Sequence, residues 1–308
     1  MIEVEHLTKK YGDLVAVRDL NFKVEEGKIW GLLGPNAAGK TTTMRILTGY
    51  LPATDGKVRV AGFDVFDQTN EVKKITGYLP ETVPLYPDMA VDEYLKFVAE
   101  IKQIPAAKVK GNLEKVIETS GLEAVRKRLI RNISRGYKQR VGIAQALIHD
   151  PRILILDEPT IGLDPAQIRE IRQLIRSLKG ERTILLSTHI LPEVTQTCDG
   201  VLIINEGCLM ASGSLDEISA SMEKTDGVFI KLKTGGEELI SLFQSISGVE
   251  KTIWDGEGFK IEWTKGTDIR DSITKLIVEK DLGLTEMRPA AMNIEDLYLK
   301  VVSGGTEQ

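Results

Sequence analysis

Cysteine is almost missing from this chain: Cys198 and Cys208 are the two among 308 residues. Their spacing matches no metal-ligand pattern. A disulfide scaffold and a zinc-type site are therefore excluded, and two buried thiols in a reduced compartment are expected. Long apolar runs are missing too, since no stretch approaches the roughly eighteen uninterrupted apolar residues that a membrane-spanning helix requires. The opening Met1-Ile2-Glu3-Val4-Glu5 is acidic early and lacks the apolar core of a signal peptide. Basic clusters are likewise absent. The 40 Lys and Arg residues are outnumbered by 45 Asp and Glu, and the net charge of −5 comes without any Lys/Arg block, which speaks against a nucleic-acid surface. Neither a repeat nor a low-complexity segment is visible. A soluble, cytoplasmic chain is expected, with any membrane contact made through a docked partner.

What is present suits a globular protein. Hydrophobic residues make up 42% and charged residues 28% of the chain, ordinary values for a full core, and the length favours two domains over one. Short β-type runs at 2–5, 21–24 and 57–60 alternate with turns punctuated by Gly12, Gly27, Gly56 and Gly62. From about residue 82 to 150 the period becomes helical. Val91, Tyr94, Leu95, Val98 and Ile101 share one apolar face; a second helix carries Leu113, Val116 and Ile117 and stops near Gly121. A third is expected from about Tyr137 to Ile148. The run Ile153–Leu156 is short and wholly apolar, as a covered parallel sheet needs. A helix over 166–178 and strands over 183–187 and 201–204 follow, giving an α/β class: a parallel core with a helical insertion. Ser214-Leu215-Asp216-Glu217 reads as a capping box for a short helix ending near Met222.

After Asp226 the character changes. Strand (229–233), helix (237–246), two strands (249–254 and 259–263) about an Asp-Gly-Glu-Gly turn, helix (269–280) and strand (284–288) make a βαββαβ succession. That order suggests a small ferredoxin-like α+β domain. With a last helix over 294–302, the accessory domain spans 226–302, and 303–308 is a frayed tail.

The chemistry begins at Gly34-Pro35-Asn36-Ala37-Ala38-Gly39-Lys40-Thr41, which follows an apolar strand and opens a helix at Thr42. It fits the phosphate-binding loop G-x-x-x-x-G-K-[ST] in its strand–loop–helix context. Backbone N–H groups and the helix N-terminus attract anions, Lys40 can reach terminal phosphates, and the Thr41 hydroxyl can ligand Mg²⁺. Asp157 and Glu158 end the apolar run at 153–156, where open α/β sheets keep their ligands. Asp157 suits the Mg²⁺ shell, and Glu158 suits polarising the water that attacks a γ-phosphate. His189, after Ser187-Thr188 at the next strand end, can sense that phosphate. A nucleoside triphosphatase is implied.

In this order the motifs resemble the nucleotide-binding subunit of an ATP-binding cassette (ABC) transporter, over about residues 1–220. The resemblance implies a P-loop NTPase cassette over 1–222: a parallel-sheet core, an antiparallel β subdomain and a helical subdomain over about 82–150. Tyr11 in Lys9-Lys10-Tyr11-Gly12 matches the aromatic that stacks on adenine. Glu81 in Gly77-Tyr78-Leu79-Pro80-Glu81 stands where the family usually has a glutamine between the metal site and the membrane partner. Ile133-Ser134-Arg135-Gly136-Tyr137-Lys138-Gln139 matches the signature motif, in which Ser134 and Gly136 would cap a γ-phosphate held by the opposite subunit. Asp164 in Gly162-Leu163-Asp164-Pro165 matches the loop that crosses the dimer interface.

The resemblance further implies ATP and Mg²⁺ as cofactors, with Gly34 to Thr42 as the phosphate cradle, and Thr41, Asp157 and Glu81 about the metal. Lys40, Glu158, His189 and Glu81 would be the catalytic set. It also implies a second cassette, expected to be identical, and a transmembrane permease that holds the chain at the inner face of the cell membrane. The family usually has glycine at Ala37, glycine at Arg135 and glutamine at Tyr137; a positive φ at Ala37 would cost on the order of 1 kcal/mol. Such variations and the extra C-terminal domain resemble the ABC-2-type exporter branch. A non-transport ABC ATPase and a regulatory nucleotide-binding module remain as alternatives.

Overall fold

The computed structural model describes residues 1–215, 217–218, 225–264 and 266–289. They fall into two compact units, Met1–Leu215 and the described part of Asp216–Lys300.

The first unit opens with β1 (Ile2–Tyr11) and β2 (Leu14–Val24), an antiparallel pair turned at Gly12. Strand β3 (Ile29–Leu33) leads through the glycine-rich loop into α1 (Lys40–Leu47). Next come β4 (Asp55–Val60), β5 (Phe63–Asp64), α2 (Thr69–Ile75) and β6 (Thr76–Leu79). Three helices follow: α3 (Val91–Ile101), α4 (Ala106–Thr119) and α5 (Arg135–Leu147). The chain returns through β7 (Ile153–Leu156), α6 (Pro165–Ser177), β8 (Thr183–Thr188), α7 (Leu191–Thr197), β9 (Gly200–Asn205) and β10 (Cys208–Ser214).

Two sheets result. The antiparallel one has the order β2-β1-β4-β5, and the other the order β10-β9-β3-β8-β7-β6, parallel except for β10. Every residue of β3, β7 and β8 is buried, as their largely apolar or β-branched character requires of strands covered on both faces. One core cluster joins the sheets through α1: Leu20 and Val58 from the antiparallel side, Met44 from α1, Leu32 and Ile155 from the parallel side. Register does the functional work, because Leu33 pairs with Thr188 and Leu156 with Leu186 and Leu79. The segments carrying Lys40, Glu81, Asp157 and His189 therefore all leave the same edge of the sheet, where a doubly wound fold keeps its ligand crevice.

The parallel α/β core and the antiparallel sheet agree with the sequence reading; several details differ. Helix α1 starts at Lys40 rather than Thr42, and α5 at Arg135 rather than Tyr137. Strand β6 was not anticipated, because Thr76-Gly77-Tyr78-Leu79 has neither alternation nor an apolar run. Its Gly77 is there for close approach: a Cβ would lie 2.2 Å from the Ala146 carbonyl of α5. Helices α2 and α7 and strand β10 also carried too short a pattern to read. Cys198 is buried, but Cys208, on strand β10, is half-buried, which corrects the expectation of two buried thiols. Ser214 ends β10; of the short helix expected after it, 215 and 217–218 are described. The expected helix over 294–302 and tail over 303–308 lie outside the described residues.

The second unit contains β11 (Thr225–Leu232), a short helix Ile240–Gln244, β12 (Val249–Trp254), β13 (Phe259–Thr264), a helix Arg270–Glu279 and β14 (Leu284–Pro289). Its sheet is antiparallel, in the order β12-β13-β11-β14. Ile230, Phe243, Phe259, Ile261, Ile273 and Ile277 form its own core. No helix among the described residues is long and apolar enough to cross a membrane.

At the foot of β6, His149 places Nε2 3.1 Å from the Thr76 carbonyl, while its Nδ1 is buried without a hydrogen-bond partner among the described residues. Burial, then Lys102, lowers its pKa from 6.5 to about 4. The unfolded chain therefore takes up a proton that the folded one refuses, and stability falls as pH drops from about 6.5 towards 4, by up to ~3 kcal/mol. Urea midpoints at pH 7 and pH 4.5 should fall further for the natural chain than for His149→Gln. Equal losses would show that His149 does not carry this sensitivity.

Candidate active site

The loop after β3 folds as it does because of two left-handed residues. Gly39, which precedes α1, has φ 100°, and a Cβ there would lie 2.6 Å from the Ala16 carbonyl. Ala37 has φ 66°, so the alanine does sit where the family's glycine costs nothing. The first N–H groups of α1 have no acceptor within the helix and border a cavity of about 510 Å³. Asn36 to Thr42 line it together with Ala16, Glu81, Glu158, Ile161 and His189.

Lys40 is almost wholly buried and donates to the carbonyls of Gly34 (2.8 Å) and Pro35 (3.1 Å). Its Nζ also lies 3.3 Å from Glu158 Oε1. The other oxygen of Glu158, Oε2, is 3.0 Å from His189 Nδ1. One carboxylate thus stands between a lysine and a histidine, and burial of both partners strengthens the Lys40 contact while making its loss costly. Glu158 itself has φ 48°, a strained backbone of the kind that accumulates at functional sites.

Asp157 is held differently. Its Oδ1 accepts from Ser187 Oγ (2.6 Å) and Thr41 Oγ1 (3.2 Å), whereas Oδ2 is buried with no hydrogen-bond partner among the described residues. Burial pushes its carboxyl above the usual range, and the two hydroxyls oppose this. Among the described residues no ion pair with it is formed, Lys40 being held by Glu158 and the loop carbonyls, although the charge of Arg45 also opposes the upward shift. The bare Asp157 oxygen and the Thr41 hydroxyl are oxygen donors that could hold a hard divalent cation.

Of the remaining sequence candidates, Glu81 lines this cavity, and Tyr11, Ser134, Gly136 and Asp164 do not. Tyr11 is half-exposed at the β1–β2 turn, with Lys9 Nζ 5.1 Å from its ring centroid. Ser134 caps α5 by accepting from the Tyr137 N–H, and Asp164 caps α6 by accepting from Ala166 and Gln167. Ser134, Gly136 and Asp164 are absent from the lining of their own chain's phosphate cavity. Arg135 donates to the Ile161 carbonyl (3.1 Å), Gln139 donates to the Pro159 carbonyl (2.8 Å), and Tyr137 lies under the Arg140 guanidinium at 5.9 Å. Glu81 borders the phosphate cavity and also a neighbouring one of about 390 Å³, shared with Leu85, Pro87 and Arg135.

With this geometry in hand, comparison with known proteins is decisive. The family model described as ABC transporter matches residues 17–161. A bacitracin transport ATP-binding protein of Bacillus licheniformis is 35% identical over 308 residues, 99% of this chain and 98% of its own. The chain belongs to the ABC transporter family. An ATP-binding subunit of an ABC transporter superposes with TM-score 0.65 at 31% identity, over 72% of this chain and 92% of that one. A bacterial ABC transporter cassette solved as a dimer gives 0.63 at 24% identity, over 70% and 99%, and speaks to the fold alone.

Ala16, Ser187 and Ile161 had no assigned role in the sequence reading. Ser187 bridges the acids, donating to Asp157 and accepting from the Glu158 N–H (2.9 Å); its place two residues before His189 was the available signal. Ile161 lines both cavities, and nothing in an isolated isoleucine reveals that. The strain at Ala37 is testable: Ala37→Gly should stabilise the chain by about 0.5–1 kcal/mol after the glycine's greater unfolded-state entropy is subtracted. Urea denaturation would read this as a raised midpoint; a lowered one would mean the loop tolerates alanine without strain.

Proposed function

We propose that this chain is the ATP-hydrolysing subunit of an ABC-2-type exporter, working as a dimer of cassettes on a separate transmembrane permease at the inner face of the membrane. The observation that carries the reading is the Lys40–Glu158–His189 constellation at the cavity bordered by α1. ATP phosphates entering there would draw Lys40 away from its loop carbonyls and from Glu158. Glu158, released from Lys40 and still oriented by His189, would then take a proton from water as its oxygen attacks the γ-phosphorus and the bond to ADP breaks. Thr41 and Asp157 would hold a magnesium ion, with Glu81 offering a further carboxylate. That ion would supply neutralisation of phosphate charge.

A second cassette is supported by the position of Ser134, Gly136 and Asp164 outside their own chain's cavity, with Ser134 and Asp164 exposed, and Gly136 buried, on a surface that could meet a nucleotide bound by another chain. An identical partner is the simplest source. The exporter branch is supported by similarity to a bacitracin transport subunit along almost the whole chain. The strand order and βαββαβ succession of 225–289 support a ferredoxin-like accessory domain, which we assign to dimer support or regulation.

In Mg²⁺-ATP turnover assays, Glu158→Gln should lose at least about a hundredfold in kcat while still binding ATP, and should accumulate as a dimer on size exclusion. Undiminished turnover in that variant would remove Glu158 from the reaction and take this mechanism with it.

A further inference from the structure

The loops that carry Glu158 and His189 are also joined from behind. Glu193, in the first turn of α7, is a buried carboxylate, 3% exposed. Its Oε1 accepts a hydrogen bond from Thr160 Oγ1, two residues after Glu158. Its Oε2 accepts one from Thr188 Oγ1 (2.6 Å), the residue before His189. The Thr188 hydroxyl in turn accepts from the Ile190 N–H at 3.0 Å, on the far side of His189. Arg172 of α6 is the nearest cation, 3.9 Å from Oε1. One carboxylate therefore ties both loops without touching the cavity, whose lining excludes Glu193, Thr160 and Thr188.

We propose that Glu193 is a positioning residue that holds the Glu158 and His189 loops in one arrangement, and so sets the turnover of the site. The inference rests on the catalytic reading given above. Chemistry singles out a carboxylate here. Two hydroxyls must both donate, and only an ionised carboxyl accepts at both oxygens. An amide offers one acceptor, so one hydroxyl would lose its acceptor and face N–H donors instead. Glu158 needs such support because its left-handed backbone persists only where the surroundings overdetermine it. A small rotation of either loop would misdirect the base, a defect that falls on the chemical step rather than on nucleotide binding.

The test compares Glu193→Gln, Thr188→Val and Thr188→Ser with the natural chain, by Mg²⁺-ATP kinetics and by amide hydrogen exchange of peptides covering 157–163 and 186–192. Glu193→Gln and Thr188→Val should each lower kcat about tenfold with the ATP KM nearly unchanged, and their effects should not multiply when combined. Thr188→Ser, which restores the hydroxyl, should recover the rate. In both deficient variants the two peptides should exchange faster together, with or without nucleotide. Unchanged exchange, or unchanged kcat in an active chain, overturns the proposal; so does a loss confined to KM. If Glu193→Gln does not fold, the Thr188 pair decides alone. A natural chain without turnover would count against the ATPase reading, and the exchange data would still judge the brace.

Discussion

Strand β8 is hydrogen-bonded on both sides, to β3 and to β7, and the site depends on this one arrangement. Parallel pairing makes the strands end together, so the loops that leave them are delivered to one place without any loop having to search for another. Shifting one strand by two residues, the smallest slip that keeps side chains on their faces, would separate Lys40 from Glu158 by roughly the length of that slip, near 7 Å. The 3.3 Å contact between them would then be lost. The charges are thus positioned by an apolar sheet that contains none of them.

The same logic explains why a buried lysine and a buried glutamate are tolerated. A desolvated ion pair is weak evidence of stability, and the carbonyls of Gly34 and Pro35 complete the solvation of Lys40. Asp157 has no comparable help at Oδ2. The two adjacent acids are therefore held differently, Asp157 with one oxygen unpartnered among the described residues and Glu158 paired at both oxygens.

The outline of the cassette was legible in the sequence because its signals are local. A glycine-lysine loop after a strand, an acid pair after four apolar residues and a histidine after a β-type run each name a strand end. What could not be read there depends on partners distant in the chain. Ser187 bridges Asp157 and Glu158 across a gap of about thirty residues, and an isolated serine does not announce that. Strand β6 escaped because its edge position and Gly77 suit the approach of α5, a tertiary demand with no periodic trace. The Arg135 replacement in the signature segment acquires a reason only in space, where Arg135, with Gln139, holds the Ile161 and Pro159 carbonyls of the loop that follows Glu158.

Two non-glycine residues lining the phosphate cavity, Ala37 and Glu158, have left-handed backbones, and they are supported unequally. Around Glu158 the Ser187 hydroxyl receives its N–H, Ile161 N–H donates to its carbonyl, and Gln139 and Arg135 hold the carbonyls beyond it. Ala37 itself makes no hydrogen bond among the described residues; its loop is held at neighbouring positions, by Lys40 Nζ on the Gly34 (2.8 Å) and Pro35 (3.1 Å) carbonyls and by the Gly207 N–H on the Ala38 carbonyl (3.1 Å). Strain held by many contacts keeps a side chain aimed, whereas strain held by few raises the energy of one loop conformation and eases its exchange for another. Glu158 is therefore aimed through its own N–H and carbonyl, whereas Ala37 is held, among the described residues, only through its neighbours.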